Sequence, residues 1–373
     1  MIPVIESWIA EEELAQLREV VKSNWVTEGE KTREFERRIA DYCGTRHAIA
    51  VSNGTVALYI ALKALGIGEG DEVIVPDFTF IASANSIRMA GATPVLVDVD
   101  EKTFNIDPNC IEQAITSKTK AIMPVHIYGQ SADMDRICQV GEAYGLWVVE
   151  DAAQGMGVRF NSKHVGGFGH VGCLSFYGNK TITTGEGGMV LTDSDEIAER
   201  CFVLKNHGRK TTGTYVHEHI GYNFRITDIQ SAIGLAQLSK IGEILDRKKR
   251  NEGIYKENLL GVSGISFPYV DPRCDHVPWF VNILVQDPQK LSDHLARDEI
   301  GSRRFFYPVH RQPCYNISGQ FPNSVRAYER GLSLPSSVLL EKTQIVYVCE
   351  GIKSFVIKSM DDNTGRSQEH NPC

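Results

Sequence analysis

Paired cysteines are missing from this chain. Its nine cysteines (Cys43, Cys110, Cys138, Cys173, Cys201, Cys274, Cys314, Cys349 and Cys373) are scattered, odd in number and include no Cys-x-x-Cys. That argues against a disulfide framework or a zinc centre, and no other metal site is expected. Positive charge is scarce as well. The formal net charge is -8, and the densest basic cluster, Arg247-Lys248-Lys249-Arg250, reads as a cationic cap on the end of the helix before it. A nucleic-acid partner is therefore not expected. No apolar run is long enough to span a membrane, and Met1-Ile2-Pro3-Val4-Ile5-Glu6 has neither the basic nor the long apolar region of a secretory signal. The expectation is a cytoplasmic protein, in which the Asn-x-Thr triplets at Asn53 and Asn179 carry no glycan.

Three familiar ligand fingerprints are also absent. Gly66-Ile67-Gly68-Glu69-Gly70 precedes a strand-like run instead of following one, so it reads as a turn and not as a dinucleotide site. Gly178-Asn179-Lys180-Thr181 has asparagine where a P-loop places glycine beside its lysine. Asp98-Val99-Asp100 lacks the glycine and the closing glutamate of a calcium loop. What the chain does have is apolar material: 373 residues, 42% hydrophobic and 23% charged, suit a globular protein with a large core and room for two domains.

Short runs rich in β-branched residues at 48–51, 73–75, 95–97, 121–125, 146–149, 173–176 and 189–191 alternate with stretches of helical spacing, as in Phe35, Ile39 and Tyr42 or Val56, Ile60 and Ala64. The succession predicts an α/β fold with a mostly parallel central sheet and helices on both faces. From Thr227 the pattern becomes one long helical segment through Ile229, Ala232, Ile233, Ala236, Ile241 and Leu245. Strand-like runs at 279–285 and 303–307 follow, with helices near 291–295 and 344–355. We expect a large domain over 1–240 and a smaller α+β domain over 241–358, with residues 1–14 packed on the latter. The polar tail, 359–373, is expected to be disordered.

Lys180 lies just beyond an apolar run, in Ser175-Phe176-Tyr177-Gly178-Asn179-Lys180-Thr181-Ile182-Thr183-Thr184-Gly185-Glu186-Gly187-Gly188. A rigid strand behind it and a glycine-rich turn ahead are what a lysine needs to meet a carbonyl in a confined pocket. Taken alone, such a lysine is most often a solvated surface charge. Three other strand ends supply complementary chemistry. Ser52-Asn53-Gly54-Thr55 opens a helix near Val56, which makes it either a phosphate seat or an ordinary N-cap. Asp151, in Glu150-Asp151-Ala152-Ala153-Gln154, stands where a cofactor lies in a parallel sheet; it is suited to a protonated pyridine nitrogen or to a structural ion pair. Pro76-Asp77-Phe78-Thr79-Phe80 offers an aromatic face for a planar ring, or for the core. A phosphate seat, a carboxylate, an aromatic face and a lysine together match pyridoxal 5'-phosphate (PLP).

These segments, with Gly221-Tyr222-Asn223-Phe224-Arg225-Ile226-Thr227-Asp228-Ile229-Gln230, resemble the nucleotide-sugar aminotransferases of the DegT/DnrJ type, from Ile2 to about Phe355. The resemblance implies a PLP fold-type I (aspartate aminotransferase-like) enzyme working as a homodimer with shared active sites. On it, Lys180 bonds the cofactor and later moves protons, and Asp151 keeps the pyridine nitrogen protonated. Gly54, Thr55 and Ser175 hold the phosphate, Phe80 stacks on the ring, and Gln154 sits near its hydroxyl. Asn223 reaches the phosphate region from the neighbouring subunit. His310, Arg225 and Tyr128 are the substrate-side candidates, each also readable as a packing or ion-pairing residue, with Asp228 a partner for Arg225; His126 is either a pocket wall or support for a strand end. L-glutamate is the implied donor, with the pyridoxamine 5'-phosphate form between the two halves of the reaction. The motifs 179–188 and Phe306-Tyr307-Pro308-Val309-His310 look most like members that aminate a GDP-linked 4-keto-6-deoxy hexose. Gln154 is common in members acting on other nucleotide sugars, so UDP- or dTDP-linked keto sugars and amination at carbon 3 stay open. A sugar dehydratase of this fold replaces the lysine with histidine, and a non-catalytic PLP-binding regulator loses Lys180 or Asp151; neither change is present.

Overall fold

A computed structural model describes residues 1–211 and 215–366. Seven strands form the central sheet: β1 (His47–Val51), β2 (Glu72–Pro76), β3 (Thr93–Val97), β4 (Thr119–Ile122), β5 (Trp147–Asp151), β8 (Val171–Ser175) and β9 (Gly188–Thr192). Their order is β1-β9-β8-β5-β4-β2-β3. All neighbours pair in parallel except β9, which runs antiparallel to both β1 and β8. The expected α/β architecture with a mostly parallel sheet is what forms.

Successive residues of each strand feed opposite cores, as a two-residue period requires. Ile74, Val148, Leu174 and Met189 point into one cluster, with Phe35 and Ile39 of the helix Glu30–Cys43 and Leu235 of the helix Asp228–Ser239. Val73, Val75, Val149, Cys173 and Val190 point into the other, where Val56, Ile60 and Leu62 of the helix Gly54–Ala64 cover them. Burial on both faces explains why these strands read as unbroken apolar runs instead of alternating ones.

The C-terminal part carries its own sheet, ordered β11-β13-β12 and antiparallel, from β11 (Val281–Leu284), β12 (Arg303–Arg304) and β13 (Gly331–Leu334). Leu291 and Leu295 of the helix Pro288–Arg297 and Ile345, Val348 and Ile352 of the helix Lys342–Arg366 seal one core with it. A third, small sheet joins β6 (Arg159–Phe160), β7 (Lys163–His164) and β10 (Cys274–Asp275). The N-terminal segment straps these parts together. Ile2 bridges to Ile300, Ser336 N–H donates to Val4 O at 2.7 Å, Ser7 Oγ donates to Gly178 O beside Lys180, and Gln237 Nε2 donates to Trp8 O at 2.7 Å.

Three expectations need correcting. The single long helix after Thr227 is two, Asp228–Ser239 and Ile241–Leu259, broken at Lys240. Its amine is held 2.8 Å from the buried carboxylate of Glu13 and lies 4.6 Å from the centre of the Trp8 ring, so tertiary contacts hold the break. The basic cluster 247–250 consequently lies inside a helix and caps nothing. Arg247 pairs with Glu243 and Lys249 with Asp275, while Lys248 is buried with its amine on the carbonyls of Pro278 and Trp279. The last helix continues to Arg366, so the expected tail begins as helix; residues 367–373 lie outside the described residues. Among the described residues no helix is long and apolar enough to cross a membrane.

Candidate active site

The carboxyl ends of β1, β2, β5 and β8 share one edge of the sheet, where ligands of parallel α/β folds gather. After β1, Asn53 closes the first turn of its helix by accepting the Val56 N–H on Oδ1 at 2.9 Å, which is the N-cap reading. Among the described residues the N–H groups of Gly54 and Thr55 find no acceptor, so a phosphate seat can stand alongside the cap. Ser175, at the end of β8, crowds this turn: a Cβ on Gly54 would come 2.8 Å from Ser175 Cβ. Gly54 and Ser175 thus stand together, with Thr55 next to Gly54 in the first turn of the helix.

Asp151 ends β5 and is 5% exposed. Ser83 Oγ donates to its Oδ2 at 2.7 Å and Ala153 N–H to its Oδ1 at 3.1 Å. Both donors are neutral and, among the described residues, no cationic side chain reaches ion-pair distance, so the carboxylate is oriented but its charge is not balanced by contact with them. Lys180 sits in the turn after β8, its N–H bonded to Tyr177 O at 2.8 Å. Its Nζ lies 3.9 Å from the centre of the Trp279 ring, a cation–π position, and the Trp279 indole N–H donates to Asn179 O at 2.7 Å. The residue is only half-buried, yet desolvation by the protein packed around the amine lowers its pKa to about 7, with Asp151 opposing and Arg303 adding to the fall. An amine near neutrality is a nucleophile and base at physiological pH.

Phe80 is 50% exposed, with its ring 5.8 Å from Phe306, leaving a face free to stack. Gln154 is buried; its Oε1 accepts the Tyr128 N–H at 2.7 Å, and its Nε2 makes no bond among the described residues. Tyr128 itself supports the wall. It has φ 53°, its hydroxyl accepts the Phe306 N–H at 3.2 Å, and its ring stacks on Phe306 at 5.3 Å. His126 is wholly buried on Glu150 at 2.9 Å, and Glu150 also accepts the N–H groups of Gly166, Phe168 and Gly169. It is a strand-end support.

His310 is tied by its Nδ1 to Asp77 Oδ2 at 2.7 Å and by its own N–H to Asp77 Oδ1 at 2.7 Å. Arg225 and Asn223 do not meet Lys180 or Asp151 of the same chain. Arg225 donates to Asn206 Oδ1 at 2.9 Å and stands 3.9 Å from Glu28, so its carboxylate neighbour is Glu28. Asp228, the partner first expected, is bonded to the Gly29 and Thr32 N–H groups and the Thr32 hydroxyl. Asn223 is exposed, next to Phe224, whose carbonyl accepts the Ser52 N–H. Sequence reasoning missed Ser83 and Trp279. A serine near the start of a helix carries no distinguishing signal, and Trp279 read only as part of an apolar strand.

Fold and site together define a fold-type I PLP enzyme: two free N–H groups for the phosphate, a buried carboxylate without a counter-ion for the ring nitrogen, an open aromatic face and a desolvated lysine all fit the cofactor. Comparison with known proteins narrows the class. The chain matches the DegT/DnrJ/EryC1/StrS aminotransferase family over residues 7–353 and belongs to it. It is 42% identical over 359 residues to GDP-perosamine synthase of Escherichia coli O157:H7, covering 95% of this chain and 98% of that one. It is 45% identical over 304 residues to GDP-perosamine synthase of Caulobacter vibrioides, covering 80% and 82%. The structure of DesV from S. venezuelae, solved with a ketimine intermediate, superposes with a TM-score of 0.89 at 35% identity, covering 93% of this chain and 94% of that one. The chain is a PLP-dependent sugar aminotransferase.

Proposed function

We propose that this enzyme moves the amino group of L-glutamate to carbon 4 of GDP-4-keto-6-deoxymannose, forming GDP-perosamine, and that it works in the cytoplasm as a homodimer with active sites shared between subunits. The observation that carries the catalytic part is the desolvated amine of Lys180 over Trp279, at the strand-end edge where Asp151 is buried. The GDP-linked substrate is supported by the identity to the two GDP-perosamine synthases across most of the chain.

PLP, when bound, supplies an electron sink for the carbanion left when the donor loses its α-proton. The chain does the rest. Asp151, fixed by Ser83, would hold the ring nitrogen in its protonated form. Gly54, Thr55 and Ser175 would seat the phosphate, Phe80 would stack against the ring, and Nε2 of Gln154 would be the donor for its hydroxyl. Lys180 Nζ takes the proton from the donor's α-carbon and in the second half returns one to the sugar carbon that receives nitrogen. Asn223 and Arg225, apart from their own chain's Lys180, serve the neighbouring subunit's site, and His310 lines the sugar side.

Product mass tests this directly. The enzyme with PLP and L-glutamate is expected to convert GDP-4-keto-6-deoxymannose to its amino form and to leave the UDP- and dTDP-linked 4-keto-6-deoxy sugars unchanged, with Lys180→Ala inactive on all three. Conversion of a UDP or dTDP sugar instead reassigns the nucleotide, and full activity of Lys180→Ala defeats the mechanism.

A further inference from the structure

We propose that Lys248 is a positioning residue: through the carbonyls on either side of the Trp279 α-carbon it fixes the indole ring against the Lys180 amine. The proposal rests on the transamination proposed above, in which that amine moves protons. Lys248 lies within the helix Ile241–Leu259 and is 4% exposed. Among the described residues no carboxylate pairs with it. Its amine donates to Pro278 O at 3.3 Å and to Trp279 O at 3.2 Å, and desolvation lowers its pKa to about 8. A buried ammonium without an anion is costly, and methionine would fill much the same space without that cost. What the lysine adds is its donors.

The two carbonyls belong to the peptide planes before and after the Trp279 α-carbon, and among the described residues no other donor reaches either of them. Peptide planes are rigid, so holding both sets the direction in which the side chain leaves the backbone. The Trp279 N–H donates to Tyr128 O at 3.1 Å. The ring is then pinned at its far end, where the indole N–H donates to Asn179 O at 2.7 Å, and its centre lies 3.9 Å from Lys180 Nζ. Both lysines line one narrow cavity with Glu6, Ser7, Thr183 and Ser336. A displaced indole would leave the Lys180 amine open to it. Desolvation is the largest influence on that amine, and Asp151 and Arg303 are the charges felt there. Lys248 is not among them, whereas its hydrogen bonds end on Trp279. The geometry therefore favours action through the ring over direct repulsion between two ammonium groups.

Competitive acylation of cofactor-free enzyme, read by peptide mass, follows the Lys180 amine directly. Lys248→Met is expected to raise its midpoint from near pH 7 to about 8, as water returns to the amine. In the holoenzyme, conversion of the cofactor from its aldehyde to its amine form by saturating L-glutamate is followed by absorbance. It should slow about five-fold at pH 7, where about one tenth instead of one half of the amine is neutral, and stay within about two-fold of the parent at pH 9. The glutamate concentration at half-maximal rate should not change. Trp279→Leu should raise the midpoint as well, and Lys248→Met should add nothing to it in that background. If Lys248→Met does not fold, Lys248→Gln, whose shorter amide keeps a donor, carries the same test with a smaller rise. An unchanged midpoint, an equal loss of rate at pH 7 and pH 9, or a shift that persists in the Trp279→Leu background overturns the proposal. A parent holoenzyme that glutamate does not convert defeats the transamination reading instead, while the acylation midpoints, which need neither cofactor nor substrate, still judge Lys248.

Discussion

At the scale of single residues the chemistry depends on how Lys180 is kept unprotonated. Desolvation is the largest influence, Arg303 works with it and Asp151 against it, and the amine settles near 7. The sign is therefore fixed: above about pH 7 the amine of the cofactor-free enzyme is neutral and reactive, and below it the amine gains a proton and loses its lone pair. Competitive acylation of cofactor-free enzyme by a small anhydride, read by peptide mass, should label Lys180 with a midpoint near pH 7, about three units below an ordinary surface lysine. Replacing Asp151 with Asn should move the midpoint down, because its carboxylate favours the ammonium. A midpoint near 10 in the parent enzyme would show that the amine is not desolvated. Lys180, Asp151 and Ser52-Asn53-Gly54-Thr55 were legible in the sequence because each stands where an apolar run gives way to turn residues. Ser83 and Trp279 were not. Ser83 meets Asp151 from 68 residues away and Trp279 meets Asn179 from 100 away, and no local pattern records such meetings.

At the scale of elements, the seven strands of the large sheet were legible as apolar runs, and their boundaries shift by only a residue or a few. Less could be read beyond Thr227, because the helix break at Lys240 is held by Glu13 and Trp8, which come from the other end of the chain. The run 303–307 is a strand only over two residues, since the chain then turns inward to pack Phe305 and Phe306 on Tyr128. A second anchor follows immediately. Asp77, at the end of β2, receives the N–H and ring Nδ1 of His310 while its own carbonyl accepts the Val309 N–H at 2.9 Å. This buried pair fastens the loop after β12 to the large sheet beside Phe80. Burial pushes the Asp77 carboxyl pKa up, and the bonds from His310 pull against it. Removing either partner strands the other, so Asp77→Ala and His310→Ala should each cost about 1–3 kcal/mol of stability. The double variant should cost less than their sum by about 1 kcal/mol or more, because the two effects share one interaction. Denaturant midpoints of the four proteins check this, and strictly additive losses would mean that the pair does not anchor the loop.

At the scale of the whole molecule, the site edge is apolar in ways a lone chain does not explain. Trp25 is 59% exposed, Phe80 50%, Tyr177 49% and Ile229 39%, and all stand on or beside the elements that build the site. Tyr177 belongs to the Lys180 turn. Ile229 precedes Gln230, whose amide donates to Glu186 O of the glycine-rich turn at 2.8 Å, and Trp25 packs over Gly29, whose N–H holds Asp228. Exposed aromatics gathered around a site mark a surface that another molecule covers. The homodimer proposed above would supply that cover and would give a place to Asn223 and Arg225, whose own contacts leave Lys180 of the same chain untouched. Shared sites make a sharp prediction. Lys180→Ala and Arg225→Ala should each be nearly inactive alone. Unfolded together and refolded, they should recover about one quarter of parent activity, because random pairing of a two-fold dimer makes half the dimers mixed, and each mixed dimer carries one site free of both lesions. If Arg225 served its own chain's Lys180, every site in the mixture would carry a lesion and refolding would restore nothing.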